Sequence, residues 1–326
     1  MGMKSAILKC LPLVDVLLAP SVYPCAWLLK MVRRIGTHRL PMCRGALLRV
    51  GVFPIRDHYY EPQFKYGEAE QAALEARRDR ALAGIRWNTQ GQLAMLAGFS
   101  CSHELVELLS QDGAGDLHFR FGNGTFESGD AEYWYQLIRR VKPRRIFEIG
   151  SGNSTLMARH AIEKNRRENP QYQCKHLCVE PYEMPWLESA GVTVLRKKIE
   201  DVGVELFSEL EDGDLLFIDS SHMIRPRGDV VFEYLELLPR LSKGVIVHVH
   251  DIFSPKNYST QWLRAEVRFW NEQYLLEAFL SHNSSWEIVG ALSYLHHNHF
   301  EQLKAVAPFL TPERNPGSFY IRKTAD

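Results

Sequence analysis

Little in this chain is in excess. Its 326 residues hold 39 Lys and Arg against 39 Asp and Glu, a formal net charge of zero, so no global field draws in a phosphate backbone and nucleic acid is not an expected partner. Cysteine is scarce. The six, at positions 10, 25, 43, 101, 174 and 178, make neither a C-x-x-C spacing nor a dense framework, which argues against a zinc ribbon or disulfide scaffold and for reduced thiols in a cytoplasmic protein. Repeats, low-complexity tracts and long linkers are missing, and a composition 45% hydrophobic and 24% charged is that of an ordinary globular chain.

A simple apolar run of membrane-spanning length is also lacking. Residues 16–29, VLLAPSVYPCAWLL, are uncharged but fall short of the ~20 residues a spanning helix needs, and Pro20 and Pro24 interrupt them. Basic residues follow the run instead of preceding it, unlike a secretory signal. Two readings stand. With Tyr23 and Trp27, and with Lys30, Arg33, Arg34, Arg39, Arg44 and Arg49 behind it, the segment can lie as a peripheral contact through residues 1–34 on the inner membrane face. Alternatively it packs on the rest of the protein or on a partner in a homo-oligomer, and packing is the preferred reading.

What is present begins near residues 142–143, where the pattern changes. Before that point lie helix-like stretches, 68–82 and 103–109. After it, short β-branched runs alternate with helical segments: strands at 146–149, 176–180, 192–195, 214–219 and 244–250, a helix at 154–165, and a covering helix at 229–241 with Val230, Val231, Tyr234, Leu235 and Leu238 at helical spacing. Residues 286–291 and 318–322 supply two closing strands. This alternation predicts an α/β fold, a doubly wound, mostly parallel seven-stranded sheet with ligands at the carboxyl ends of its strands. The expected division is an N-terminal helical cap, 1–119, and a catalytic domain, 120–326.

The most informative stretch is Phe147-Glu148-Ile149-Gly150-Ser151-Gly152-Asn153-Ser154-Thr155, with Glu180 ending the next apolar run. A strand, a glycine turn and a helix start let a ligand touch bare backbone. A dinucleotide fingerprint would have a third small residue where this chain has Thr155, so NAD is disfavoured. The E-x-G-x-G pattern resembles the first motif of class I S-adenosylmethionine-dependent methyltransferases. The resemblance implies that Glu148, Gly150, Ser151, Gly152 and Ser154 surround the cofactor, with Glu180 accepting the ribose hydroxyls. It also implies a reversed last strand and a cofactor cover from Asp130 and Tyr133. Asp201, next to Glu200 after the third strand, is a further candidate near the adenine.

Two later strand tips carry polar clusters, Asp219-Ser220-Ser221-His222 and His250-Asp251. Apolar strands ending in carboxylates need a cation, donors or solvent at those ends. A shared divalent cation, Mg²⁺ or Mn²⁺, is a natural solution for Asp219 and Asp251, with His250 ranked below them as a third ligand. The D-x-S-H cluster resembles the site of metal-dependent sugar and small-molecule O-methyltransferases, although His250-Asp251 departs from their usual acidic pair. That resemblance implies Asp219 and Asp251 on the metal and His222 as the base, acting on a hydroxyl of a sugar or secondary metabolite. The wider group also resembles cephalosporin hydroxylases. An N-methyl acceptor, or a non-catalytic cofactor-binding protein at a membrane or partner, are the other readings. Residues 52–60 mix aromatics and charge as a substrate lid or a packing loop would. His296, His297 and His299 read as a solvated turn, since adjacent helix residues diverge.

Overall fold

A computed structural model describes residues 2–56, 61, 78–109, 117–182, 184–259 and 261–325. The chain divides into two compact units, Met1–Gln71 and Ala72–Asp326. The boundary thus falls near residue 71 instead of 119. The reason is packing: helices Thr89–Ala97 and Ser102–Leu109 put Leu96 and Leu105 into one core with Trp134, Phe217 and Tyr320. Of the helix expected over 68–82, residues 68–77 lie outside the described residues and 78–82 are not helical; of the expected lid at 52–60, residues 57–60 lie outside them too.

In the first unit, Gly2–Ile35 is one helix that continues through Pro12, Pro20 and Pro24. The prolines expected to break the apolar stretch do not end it, since each removes only one N–H donor from the ladder. The stretch Leu11–Ile35 is long and apolar enough to cross a membrane, and none of its apolar window is buried. A tight turn, Thr37–Arg39, leads into helix Pro41–Val50, which has Pro41 at its first position and ends at Gly51 in the left-handed region, φ 77°. Arg33 donates to Glu61 through Nη2 at 2.7 Å, and Arg56 donates to the same carboxylate at 3.1 Å.

The second unit is built on seven strands: β1 (Arg145–Ile149), β2 (Lys175–Val179), β3 (Thr193–Leu195), β4 (Leu215–Ile218), β5 (Ile246–Val249), β6 (Trp286–Ala291) and β7 (Phe319–Lys323). Their order across the sheet is β3-β2-β1-β4-β5-β7-β6. Strands β1 to β5 pair in parallel, while β7 runs antiparallel to both β5 and β6. This is the Rossmann-like methyltransferase fold, with the reversed strand that the resemblance implied.

Alternation of side chains explains why the sheet needs cover on both faces. Ile146, Leu215, Phe217 and Ile246 point into one core, closed by helices Asp130–Val141 and Asn153–Glu168 through Trp134, Leu137, Ile138 and Leu156. Phe147, Ile149, Leu216, Ile218, Val247 and Val249 point into the other, closed by Val230, Tyr234 and Leu237 and by Leu276 and Leu280 of helix Glu272–Leu280. The covering run after β4 starts as an α-helix at Asp229–Phe232, passes through a π-helical turn at Glu233–Leu237 and ends as a 3₁₀ turn at Leu238–Arg240. Burial on two faces leaves only the strand tips open for chemistry.

Candidate active site

The glycine turn after β1 is fixed by its neighbours. Gly150 lies at φ +77°, and a Cβ there would come within 1.9 Å of the Asp219 carbonyl oxygen, so no other residue fits without moving β4. Its N–H donates to the Val179 carbonyl at 3.0 Å and ties the turn to β2. At Gly152, by contrast, a Cβ would meet only Met184 Cε, at 3.6 Å; the protein leaves room beside it. The Ser151 and Tyr182 N–H groups donate to the two oxygens of Glu180, at 3.2 and 3.1 Å, and so orient that carboxylate.

Around this turn lies a cavity of about 490 Å³, lined by Gly150, Ser151, Gly152, Ser154, Glu180 and Glu200 among others, a size that suits a nucleoside-type ligand. Not every expected cofactor residue reaches it. Glu148 is fully buried and already engaged: Ser154 and Thr155 hydroxyls donate to Oε2 at 2.8 and 2.9 Å, and His176 Nε2 lies against Oε1. It holds the helix start onto β1 and does not line the cavity. Asp201 is exposed and lines a neighbouring cleft, while Glu200 borders both. Tyr133 is a packing residue; its hydroxyl donates to the Val289 carbonyl at 2.8 Å, where β6 has an irregularity and a Cβ on Gly290 would sit 2.4 Å from that oxygen.

The second cluster gathers at the tips of β4 and β5. His222 Nε2 is 3.2 Å from Asp219 Oδ1 and 3.8 Å from Asp251 Oδ2, and its Nδ1 is 2.7 Å from Glu272 Oε2. Burial alone would lower the His222 pKa, but hydrogen bonds to Asp219 and Glu272 hold it well above the usual histidine value. Burial likewise works against the charged form of Asp219, yet His250 and His222 hold that carboxyl well below its ordinary range. Asp251 is pushed the other way, upward, by burial. Both His222 and Asp251 have left-handed backbone, φ 59° and 57°, a conformation that side-chain-bearing residues keep only where their surroundings impose it.

Ligand atoms of Asp219, His222 and Asp251 all lie within 4.8 Å of one another, a grouping that could hold a metal ion. His250 is outside that set. It stands between Asp219, with Nδ1 3.4 Å from Oδ1, and Asp130, with Nε2 4.0 Å from Oδ2. Asp130 is therefore a buried partner of this cluster, its Oδ1 accepting from the Ser318 N–H at 2.8 Å, and is no part of the cofactor cavity. Among the described residues, neither His250 nitrogen nor Asp130 Oδ2 makes a hydrogen bond, though Arg314 Nη2 stands 3.5 Å from that oxygen. Four carboxylates against two imidazoles and the Arg314 guanidinium still leave negative charge that a cation would offset, and orphaned buried polar atoms are costly otherwise. The donor set fits a hard divalent ion.

The two sites adjoin along a shared wall. A larger cleft of about 1520 Å³ reaches His222, His250, Asp251, Trp262, Trp270 and Arg268, and shares Thr125, Asp219, Ser220 and Ser221 with the cofactor-sized cavity. Sequence reasoning missed Glu272, fully buried, which also accepts from the Tyr234 hydroxyl at 3.0 Å. An acid in the first turn of a helix reads as a helix-dipole partner, and 50 residues separate it from His222. It also missed Trp270, whose ring lies 4.3 Å from that of His222. His296 is buried, with Nε2 3.3 Å from the Thr311 carbonyl, and so is not solvated as expected, whereas His297 is exposed and borders the large cleft.

Residues 147–252 match a family model described as a methyltransferase domain, less than half of the chain. An uncharacterized protein of Archaeoglobus fulgidus is 26% identical over 171 residues, 49% of this chain and 75% of that protein. Among solved structures, the plantazolicin methyltransferase BpumL in complex with a triazolic desmethyl analog and SAH is 11% identical, with 80% of this chain and 100% of that chain covered and a TM-score of 0.36. An O-methyltransferase from Bacillus cereus in complex with SAH is 13% identical, with 78% and 100% covered and a TM-score of 0.35. Neither overlap is close enough to carry a functional argument.

Proposed function

We propose that this S-adenosylmethionine-dependent methyltransferase methylates a hydroxyl of a sugar or other small metabolite, with His222 as the general base and with cation assistance at Asp219 and Asp251. The observation that carries the reading is the shared rim: Asp219, Ser220 and Ser221 border both the cofactor-sized cavity and the cleft into which His222 opens. A methyl donor in one and an acceptor oxygen in the other would meet there, and holding them in line supplies much of the rate. Glu180, oriented by Ser151 and Tyr182, suits the ribose hydroxyls.

The cofactor supplies a sulfonium-activated methyl group; the O–CH₃ bond forms as S–CH₃ breaks, and the hydroxyl proton must leave the acceptor. Against the cost of burial, bonds to Asp219 and Glu272 keep the His222 ring protonated while both carboxylates are free; with Asp219 engaged by a cation, that carboxylate's charge is drawn off and Nε2, 3.2 Å from Asp219 Oδ1, is left to take the proton. Its Nδ1 is committed to Glu272, which fixes the ring and stabilises the charge it gains. Trp270 packs on the same ring and limits its swing. Asp219 and Asp251 would hold the cation, whose contribution is to lower the pKa of an alcohol. His222 Nε2 cannot be ligand and base together, so the base role leaves the cation to carboxylates and acceptor.

The deciding experiment is a calorimetric titration of the full chain with S-adenosylhomocysteine, followed by turnover with a panel of hydroxylated acceptors with and without chelator. Saturable binding with chelator-sensitive turnover supports the reading. Binding with chelator-insensitive methylation of an amine would replace it with an N-methyl acceptor, and failure to bind the homocysteine product would remove the cofactor assignment.

A further inference from the structure

Within the first unit, the helix Gly2–Ile35 carries a long apolar stretch, and none of its apolar window is buried. Leu13, Val16, Leu17, Leu18, Tyr23 and Trp27 are between 55% and 79% exposed. Val16, Leu17 and Leu18 are consecutive, and at 100° per residue three consecutive apolar side chains reach around the helix instead of lying along one face. An interfacial helix needs a polar face; one that is apolar all round needs a surrounding apolar medium.

Length and charge point the same way. Residues 10–29 contain a single charge, Asp15, and are bracketed by Lys9 and Lys30. Twenty helical residues rise about 30 Å, the thickness of a bilayer's hydrocarbon layer. Asp15 sits toward one end of that span, where the cost of inserting a charge falls. Prolines within the helix are tolerated in such segments, and the helix here does continue through them. Tyr23 and Trp27 lie near the Lys30 end, where aromatic belts form.

We infer that residues 10–29 are a single membrane span, and that the span is oriented with the methyltransferase unit on the cytoplasmic side. Orientation follows from the flanks. Between residues 30 and 56 there are seven Lys and Arg and no Asp or Glu, against Lys4 and Lys9 before the span; short basic flanks stay on the cytoplasmic side. Two of the seven, Arg33 and Arg56, share Glu61, and the other five keep the bias. This stands independently of the methyl acceptor.

The test uses the full chain with an N-terminal epitope tag, expressed in a bacterium and fractionated. The protein should stay in the membrane pellet through 1 M salt and alkaline carbonate and leave only with detergent, and the tag should be cut by protease added to intact spheroplasts while the catalytic unit survives. The paired variant L17R/L18R should shift most of the protein to the supernatant with S-adenosylhomocysteine binding unchanged, which shows that the catalytic unit is still folded. Release by salt or carbonate, indicating a peripheral helix, would overturn the span, as would a soluble oligomer that keeps the helix covered. A protected tag would overturn the orientation.

Discussion

At the residue scale, the site rests on a few side chains whose neighbours fix their roles. Replacing His222 with Gln keeps size and polarity but removes the base, and turnover should fall by roughly a hundredfold or more with S-adenosylhomocysteine affinity little changed. Glu272→Gln should lower turnover by about tenfold while leaving cofactor affinity intact, because it acts through the His222 ring; equal losses in affinity would argue for a structural role only. Gly150→Ala meets the Asp219 carbonyl head-on and should abolish cofactor binding together with about 2 kcal/mol of stability or more, read from urea denaturation. Away from the site, burial lowers the His160 pKa to about 4 from an ordinary 6.5, helped by nearby His118. The unfolded chain binds the proton more readily between those two values, so stability is full above about 6.5 and is lost as pH falls toward 4, by up to about 3 kcal/mol. His160→Asn should flatten that acid limb in a denaturation series; an unchanged slope would assign it elsewhere.

At the element scale, the turn between β1 and helix Asn153–Glu168 is held from below by Glu148. Glu148→Leu leaves the Ser154 and Thr155 hydroxyls without their acceptor and should weaken S-adenosylhomocysteine binding and lower Tm by several degrees together; loss of affinity at unchanged Tm would return Glu148 to direct contact. The strands were legible in the sequence because β-branched runs of four to six residues between helical patterns admit few other arrangements, and β6 has the expected bounds. Glu148 was misread for a physical reason: spacing places a residue on a strand but does not say which face it takes. Strand alternation turns Glu148 toward His176 and Cys178, away from the cavity that Gly150 opens. Asp130, which faces His250, and Glu272 each open a helix, and their placement depends on the tertiary path of that helix. The π-helical turn that brings Tyr234 onto Glu272 has no sequence signature at all.

For the whole molecule, both cores and all seven strands belong to Ala72–Asp326. A chain starting at residue 72 should therefore bind S-adenosylhomocysteine and should not fractionate with membranes as proposed for the full chain; failure to bind would make the first unit part of the catalytic fold. The N-terminal segment was the least legible part of the sequence. Counting only the uncharged residues between Asp15 and Lys30 gave 14, and prolines suggested a break, whereas a continuous helix makes the relevant length the distance between Lys9 and Lys30.

The sheet order also bears on how the protein is made. Among the described residues β6 pairs only with β7, and β7 is inserted between β6 and β5. During translation, β5 and β6 both emerge before any backbone can pair between them, so the nascent chain carries two raw edges until residues 319–323 leave the ribosome. A stop codon a few residues upstream of Phe319 would leave those edges bare permanently, and the released polypeptide should go to proteases or aggregates however complete its catalytic residues are.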